Sequence, residues 1–188
     1  MPFKIAARLA ALPIALAACV PVVVPIPLST SSVQEAPARA APRDLGRPPA
    51  SARCAAPAGI RTARAKVLSA VNRERRARGL AAVTPDRRLR AAAQGQACDN
   101  AARGSYSHTG SDGSDLSVRV KRAGFPLRLA VENTARGFDS PERLVAYWMG
   151  SPGHRANILN PRTRGFGLGL AAPPGDRPHW VLVMGRAL

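Results

Sequence analysis

Phe166-Gly167-Leu168-Gly169-Leu170, then Pro173-Pro174-Gly175-Asp176, then Trp180-Val181-Leu182-Val183-Met184 is the stretch that decides the fold. Apolar residues alternate with glycine in the first run, a Pro-Pro-Gly-Asp turn follows, and a β-branched and aromatic run returns, which predicts a β-hairpin. What precedes the hairpin is helical. Arg64 to Arg78 carries Val67, Leu68 and Val71 on one face and stops at Gly79. Thr84-Pro85-Asp86 opens a second helix, with Thr84 as the cap and Pro85 at the first helical position, running to about Arg103 before Gly104. Its Leu89, Ala92, Ala93, Gln96 and Ala97 form a stripe of mostly small residues that lets another element come close. Tyr106 to Gly113 reads as a loop, Ser114 or Asp115 caps a third helix ending at Gly124, and Leu129 to Val131 forms a short strand. Ser140-Pro141 starts a fourth helix that closes at Trp148 and Gly150. Ser151-Pro152 repeats the start signal, so His154 falls in a helical first turn. Helices first, a short strand between and a hairpin last imply an α+β arrangement.

The 188 residues divide into one domain and an N-terminal extension. In residues 1–18, Lys4 and Arg8 lead into an apolar run too short for a permanent span, the pattern of a signal peptide, so the chain is expected to be exported. Leu16-Ala17-Ala18-Cys19 has the form of a lipoprotein box, making Cys19 a candidate lipid anchor. The alternative is a longer signal cut after Ala38-Arg39-Ala40, which discards Cys19. Residues 19–59, rich in Ser, Pro, Ala and Arg downstream of the apolar part, read as a disordered tether, and residues 60–188 as the folded domain. With Cys19 lipidated or removed, Cys54 and Cys98 are left as an even pair in an oxidising compartment, which predicts a disulfide. The alternative is two independent thiols. The net charge of +17 is almost wholly arginine. The arginines are not interleaved with aromatics or set in a nucleic-acid module, so an anionic envelope surface is the expected partner rather than nucleic acid, with plain solvated helix faces as the alternative.

Four motifs in order carry a resemblance: Ser107-His108-Thr109-Gly110, Val131-Glu132-Asn133-Thr134, Gly150-Ser151-Pro152-Gly153-His154-Arg155-Ala156-Asn157 and Gly165-Phe166-Gly167-Leu168-Gly169. Together they resemble the CAP superfamily of cysteine-rich secretory, venom-allergen and pathogenesis-related proteins, in its bacterial secreted form, from about Arg64 to Leu188. The resemblance implies a three-layer αβα sandwich around a small antiparallel sheet. It also implies a cleft lined by His108, Glu132 and His154, with Ser151 where eukaryotic members place a second acid. Two imidazoles and a carboxylate suit a divalent ion such as zinc, with His108 and His154 as candidate ligands, although no cofactor is required. Asn133 and Asn157 are expected to satisfy backbone groups around the cleft, Ser151 to act as a cap, and Arg155 to stay solvated or pair with Asp112. His179 reads as an edge-strand residue. The functional expectation is a binding domain for a lipid, another small apolar ligand, a peptide or a metal. A metal-dependent, peptidase-like hydrolase at the same cleft and a non-catalytic basic envelope module are the alternatives. The membrane is reached only through an N-terminal lipid anchor.

Overall fold

The computed structural model describes residues 45–188. The predicted signal segment, Cys19 and the first part of the tether lie outside the described residues. The elements are α1 (Ile60–Arg76), β1 (Thr84–Pro85), α2 (Arg87–Ala102), α3 (Leu116–Arg122), β2 (Leu127–Arg136), α4 (Pro141–Gly150), α5 (Pro152–Ile158), β3 (Gly165–Ala171) and β4 (His179–Ala187). The sheet order is β1-β3-β4-β2. The predicted hairpin is β3–β4, and β4 continues into antiparallel pairing with β2 from Leu127↔Ala187 to Arg136↔His179.

β4 is the central strand and is buried on both sides. Trp180, Leu182 and Met184 pack with Val67 and Val71 of α1, Leu144 and Trp148 of α4 and Ile158 of α5. Val181 and Val183 face the other way, against Leu89, Ala93 and Ala97 of α2 and Val120 of α3. Two helical layers therefore enclose one sheet, and the fold is the αβα sandwich of the α+β class. The sheet departs from the antiparallel expectation at one edge, where β1 runs parallel to β3 through Thr84↔Gly165 and Pro85↔Phe166. Thr84 N–H donates to Arg164 O and Asp86 N–H to Phe166 O, so the segment is extended through Pro85 and cannot yet be helix. The cap accordingly falls on Asp86, whose carboxylate accepts from the backbone N–H groups of Arg88 and Leu89, and not on Thr84.

The small stripe of α2 meets the glycines of β3. A Cβ on Gly167 would lie 2.2 Å from the carbonyl carbon of Leu89, and one on Gly169 would lie 2.2 Å from Ala93 O. Backbone rests on backbone here, and a single methyl cannot be admitted. On the opposite layer Arg75 is wholly buried. Its guanidinium donates to Ala81 O, Ile158 O and Asn160 O at 2.7–3.0 Å, tying α1 to the end of α5 without a carboxylate.

Three expectations change. The strand predicted at Leu129–Val131 extends over Leu127–Arg136, because β4 offers a partner along its whole length to residues whose polarity hid them. His179 is not at an edge: it opens the central strand, buried, with Nδ1 against Ser105 O at 2.8 Å and Nε2 against Asp176 Oδ2 at 3.0 Å. Within residues 45–59, read as the end of a disordered tether, Ser51, Ala52 and Cys54 lie against α2, and Leu45 O accepts from Arg122 of α3. Ala50–Ala52 forms a 3-10 turn, and Ser51 Oγ donates to Asp99 Oδ1. Cys54 and Cys98 form the predicted disulfide with Cα atoms 5.5 Å apart, closing a loop across 44 residues. Loop closure of that length stabilises the fold by up to about 4 kcal/mol in the chain-entropy model.

Candidate functional site

The site wraps around β2, the outer strand of the sheet. Successive side chains of a strand point to opposite faces, so Glu132 faces α3 while Asn133 faces α5. Glu132 is buried, and both its oxygens are engaged: Oε1 lies 2.9 Å from His108 Nδ1, and Oε2 accepts from Arg119 Nη2 at 2.8 Å. An ionised carboxylate only accepts, so His108 carries its proton on Nδ1 and turns Nε2 outward. Arg119 is equally buried and donates through Nη1 to His108 O (2.9 Å) and Ser114 O (2.8 Å), fixing the loop that carries the histidine.

His108 stands at the tip of the loop between α2 and α3, and the last two turns of α2 hold that loop. Gln96 and Asn100 donate to Ser107 O, Arg103 donates to Thr109 O, and Asp99 accepts from Ser111 N–H and Oγ–H. Gln96, the adjacent pair Asp99-Asn100 and the capping Arg103, at successive turns of the helix, thus act as a cradle.

His154 approaches from the other face of β2, in the first turn of α5. Asn133 Nδ2 donates to His154 O at 3.1 Å, while Asn157 Nδ2 donates to Glu132 O at 3.0 Å and Asn133 Oδ1 at 2.8 Å. Trp148 Nε1 takes the next free carbonyl of that edge, Thr134 O, at 3.4 Å. Both asparagines therefore satisfy backbone groups, as expected. The His154 ring stacks obliquely with Tyr147, centroids 5.8 Å apart, and its Nδ1 is buried without a hydrogen-bond partner.

The two histidines titrate in opposite directions. The hydrogen bond to Glu132 raises His108 above the ordinary imidazole value, against the pull of burial and of Arg119. Burial lowers His154, and the charge of nearby His108 lowers it further. Of the two, His108 is therefore the more readily protonated.

Of the residues expected at the cleft, His108 and Glu132 are in direct contact, and His154 is joined to them through Asn133, Asn157 and the backbone of Glu132. Ser151 occupies the N-cap position of α5, one turn before His154, but its side chain makes no capping hydrogen bond. Arg155 does not pair with Asp112, which is bound by Arg122 at 2.5 Å. Among the described residues no three His, Cys, Asp or Glu side chains are gathered to hold a metal ion, and Glu132 has no free oxygen to offer one.

Sequence reasoning missed Arg119, the cradle on α2 and the tyrosines. Arg119 carried a signal, as an arginine four residues after the capping Asp115 and flanked by Val118 and Val120 on a short helix. Tyr106 and Tyr147 are large apolar side chains left exposed, 66% and 47% respectively. One lies two residues before His108, and the other lies against His154.

Comparisons with known proteins bear on the fold and the family. Over 114 residues the chain is 31% identical to the uncharacterized protein YkwD of Bacillus subtilis (strain 168), covering 61% of this chain and 44% of that one, so it spans less than half of that relative. In structure it is similar to an extracellular protein containing an SCP domain from Bacillus anthracis, with TM-score 0.62, 23% identity, and 67% of this chain and 41% of that one covered. It is also similar to an outer surface protein of Borrelia burgdorferi, with TM-score 0.65, 20% identity, and 69% and 96% covered. At those identities the structural likeness speaks for the fold. The model of the cysteine-rich secretory protein family matches residues 68–184, which include every cleft residue named above, and the chain belongs to that family, CAP.

Proposed function

We propose that the protein is an exported CAP domain that binds, rather than turns over, a peptide or lipid at the His108–Glu132–His154 cleft, with Ser151 at the neighbouring turn. The observation that carries this reading is the exposure of Tyr147 against His154 and of Tyr106, two residues before His108 in the chain. Exposed tyrosines offer large, rigid, amphipathic contact area at little entropic cost. The unpartnered Nδ1 of His154 and the outward Nε2 of His108 supply polar contacts. Glu132 acts as the support that holds His108 and neutralises Arg119. Export rests on the N-terminal signal pattern and on the relatives described as extracellular or outer surface proteins. No helix among the described residues is long and apolar enough to cross a membrane, so attachment would fall to Cys19 if it is lipidated. A zinc ion is the least favoured occupant, because it would have to be held by His108 and His154 without the carboxylate.

Mass spectrometry of the natively purified protein tests the reading. A co-purified lipid or peptide that is lost in Tyr147→Ala and His154→Ala would support it, and a ligand-free protein with stoichiometric zinc would overturn it. One geometric fact favours a second reading: a carboxylate bonded to Nδ1 orients an imidazole as a general base toward solvent, as in hydrolytic sites. Turnover of a peptide library that disappears in His108→Ala would establish that alternative.

A further inference from the structure

At the opposite edge of the sheet a cavity of about 290 Å³ lies between α1 and the start of α2, beside β3. Arg61 and Arg64 of α1 and Arg87 and Arg90 of α2 surround it, over a floor that includes Leu68 and Phe166. Its one carboxylate, Asp86, is already committed. Oδ1 caps α2 by accepting from Arg88 N–H (2.7 Å) and Leu89 N–H (3.1 Å), and Oδ2 pairs with Arg88 Nη2 at 3.2 Å. None of the four surrounding arginines forms an ion pair among the described residues. Arg64 is held in place by the fold, with Nε donating to Leu168 O at 2.8 Å and Nη2 to Gln94 Oε1 at 3.0 Å.

Four arginines lining one concavity, with its carboxylate already committed, repel one another unless an anion joins them. Burial and the charge of Arg90 both lower Arg64 from its ordinary value. A guanidinium fork matches the oxygens of a phosphate. We infer that this cavity is a phosphate-binding site, distinct from the histidine cleft, which takes a phosphate group carried on a partly apolar molecule. Leu68 and Phe166 receive the apolar portion.

The experiment measures binding of inorganic phosphate and of glycerol phosphate by calorimetry, and co-flotation with phosphatidylglycerol vesicles against phosphatidylcholine vesicles, all at physiological salt. The proteins are wild type, Arg87→Glu/Arg90→Glu, and Arg162→Glu/Arg186→Glu. The last pair is exposed, outside the cavity and equal in charge change, and thermal melts confirm that each variant is folded. The expected result is at least a tenfold loss of affinity in the cavity variant and less than a twofold loss in the control. Tighter association with phosphatidylglycerol than with glycerol phosphate identifies a lipid headgroup as the source. Equal affinities identify a soluble phosphate ester. Equal losses in both variants would show that net charge alone attracts the anion and would overturn the site, as would no binding of any phosphate probe. Neither outcome bears on the histidine cleft, whose residues are unchanged.

Discussion

The two edges of the sheet meet the same difficulty, unpaired backbone on an outer strand, and settle it in opposite ways. At the β2 edge the outward carbonyls are taken by Asn157 and Trp148, and Glu132 is shared between His108 and Arg119. The β3 edge pairs with β1 for two residues only. Beyond that, Arg64 takes Leu168 O, while Gln94 both donates to Leu170 O and accepts from Leu170 N–H. Charge at the β2 edge is nearly balanced, whereas at the β3 edge it is piled up on one side. The difference teaches that an edge can be protected with its charges paired or with its charges left over. The β2 edge spends its polar groups internally and presents rings, while the β3 edge leaves guanidiniums in excess.

The strongest way to break the contrast is to unbalance the balanced edge. Glu132→Ala strands Arg119 as a buried, unpaired charge, and a loss of about 3–5 kcal/mol is expected in urea unfolding. A double variant, Glu132→Leu with Arg119→Met, should recover most of that loss while abolishing ligand binding. Next comes the packing behind the other edge. Gly169→Ala forces a Cβ into Ala93 O and should cost about 3 kcal/mol by the same measurement, whereas Gly150→Ala, with open space around it, should change stability by less than about 0.5 kcal/mol.

The smallest effect sharpens the comparison between the two histidines on either face of β2. His154, lowered in the fold, favours the unfolded chain once solution pH falls below the unfolded imidazole value. His108, raised in the fold, adds stability below that value and loses it as pH rises through its folded value. Between pH 7 and 5, His154→Gln should therefore flatten the acid loss of stability and His108→Gln should steepen it, each by less than about 1 kcal/mol, read from the pH dependence of the melting temperature.

Much of the fold was legible because its signals are local. The Gly-x-Gly run with its Pro-Pro-Gly-Asp turn marks the hairpin, the small stripe of α2 announces a close neighbour, and Ser140-Pro141 and Ser151-Pro152 mark two helix starts where the structure has them. β1 and the full length of β2 were not legible, because Thr84-Pro85 looks like a helix entry and Glu132-Asn133-Thr134 looks too polar for a strand. In each case a partner strand far along the chain decides the matter. The histidines and Glu132 could be located by motif, yet their relation could not. What binds Glu132 is Arg119, and what holds His108 is a polar face of α2. Both depend on which helix layer each residue joins.

The topology delays closure of the native core until the last strand is made. β4 comes after every element it holds together, pairing with β3 on one side and β2 on the other, and α2 docks on β3 through residues 76 positions apart. A polypeptide made from its N-terminus can form α1 and α2 early. It cannot close either hydrophobic layer until His179–Ala187 has been added. The domain therefore stays open for nearly the whole of its synthesis and locks at its end, whereas both partners of the Cys54–Cys98 bond are present as soon as α2 has been made.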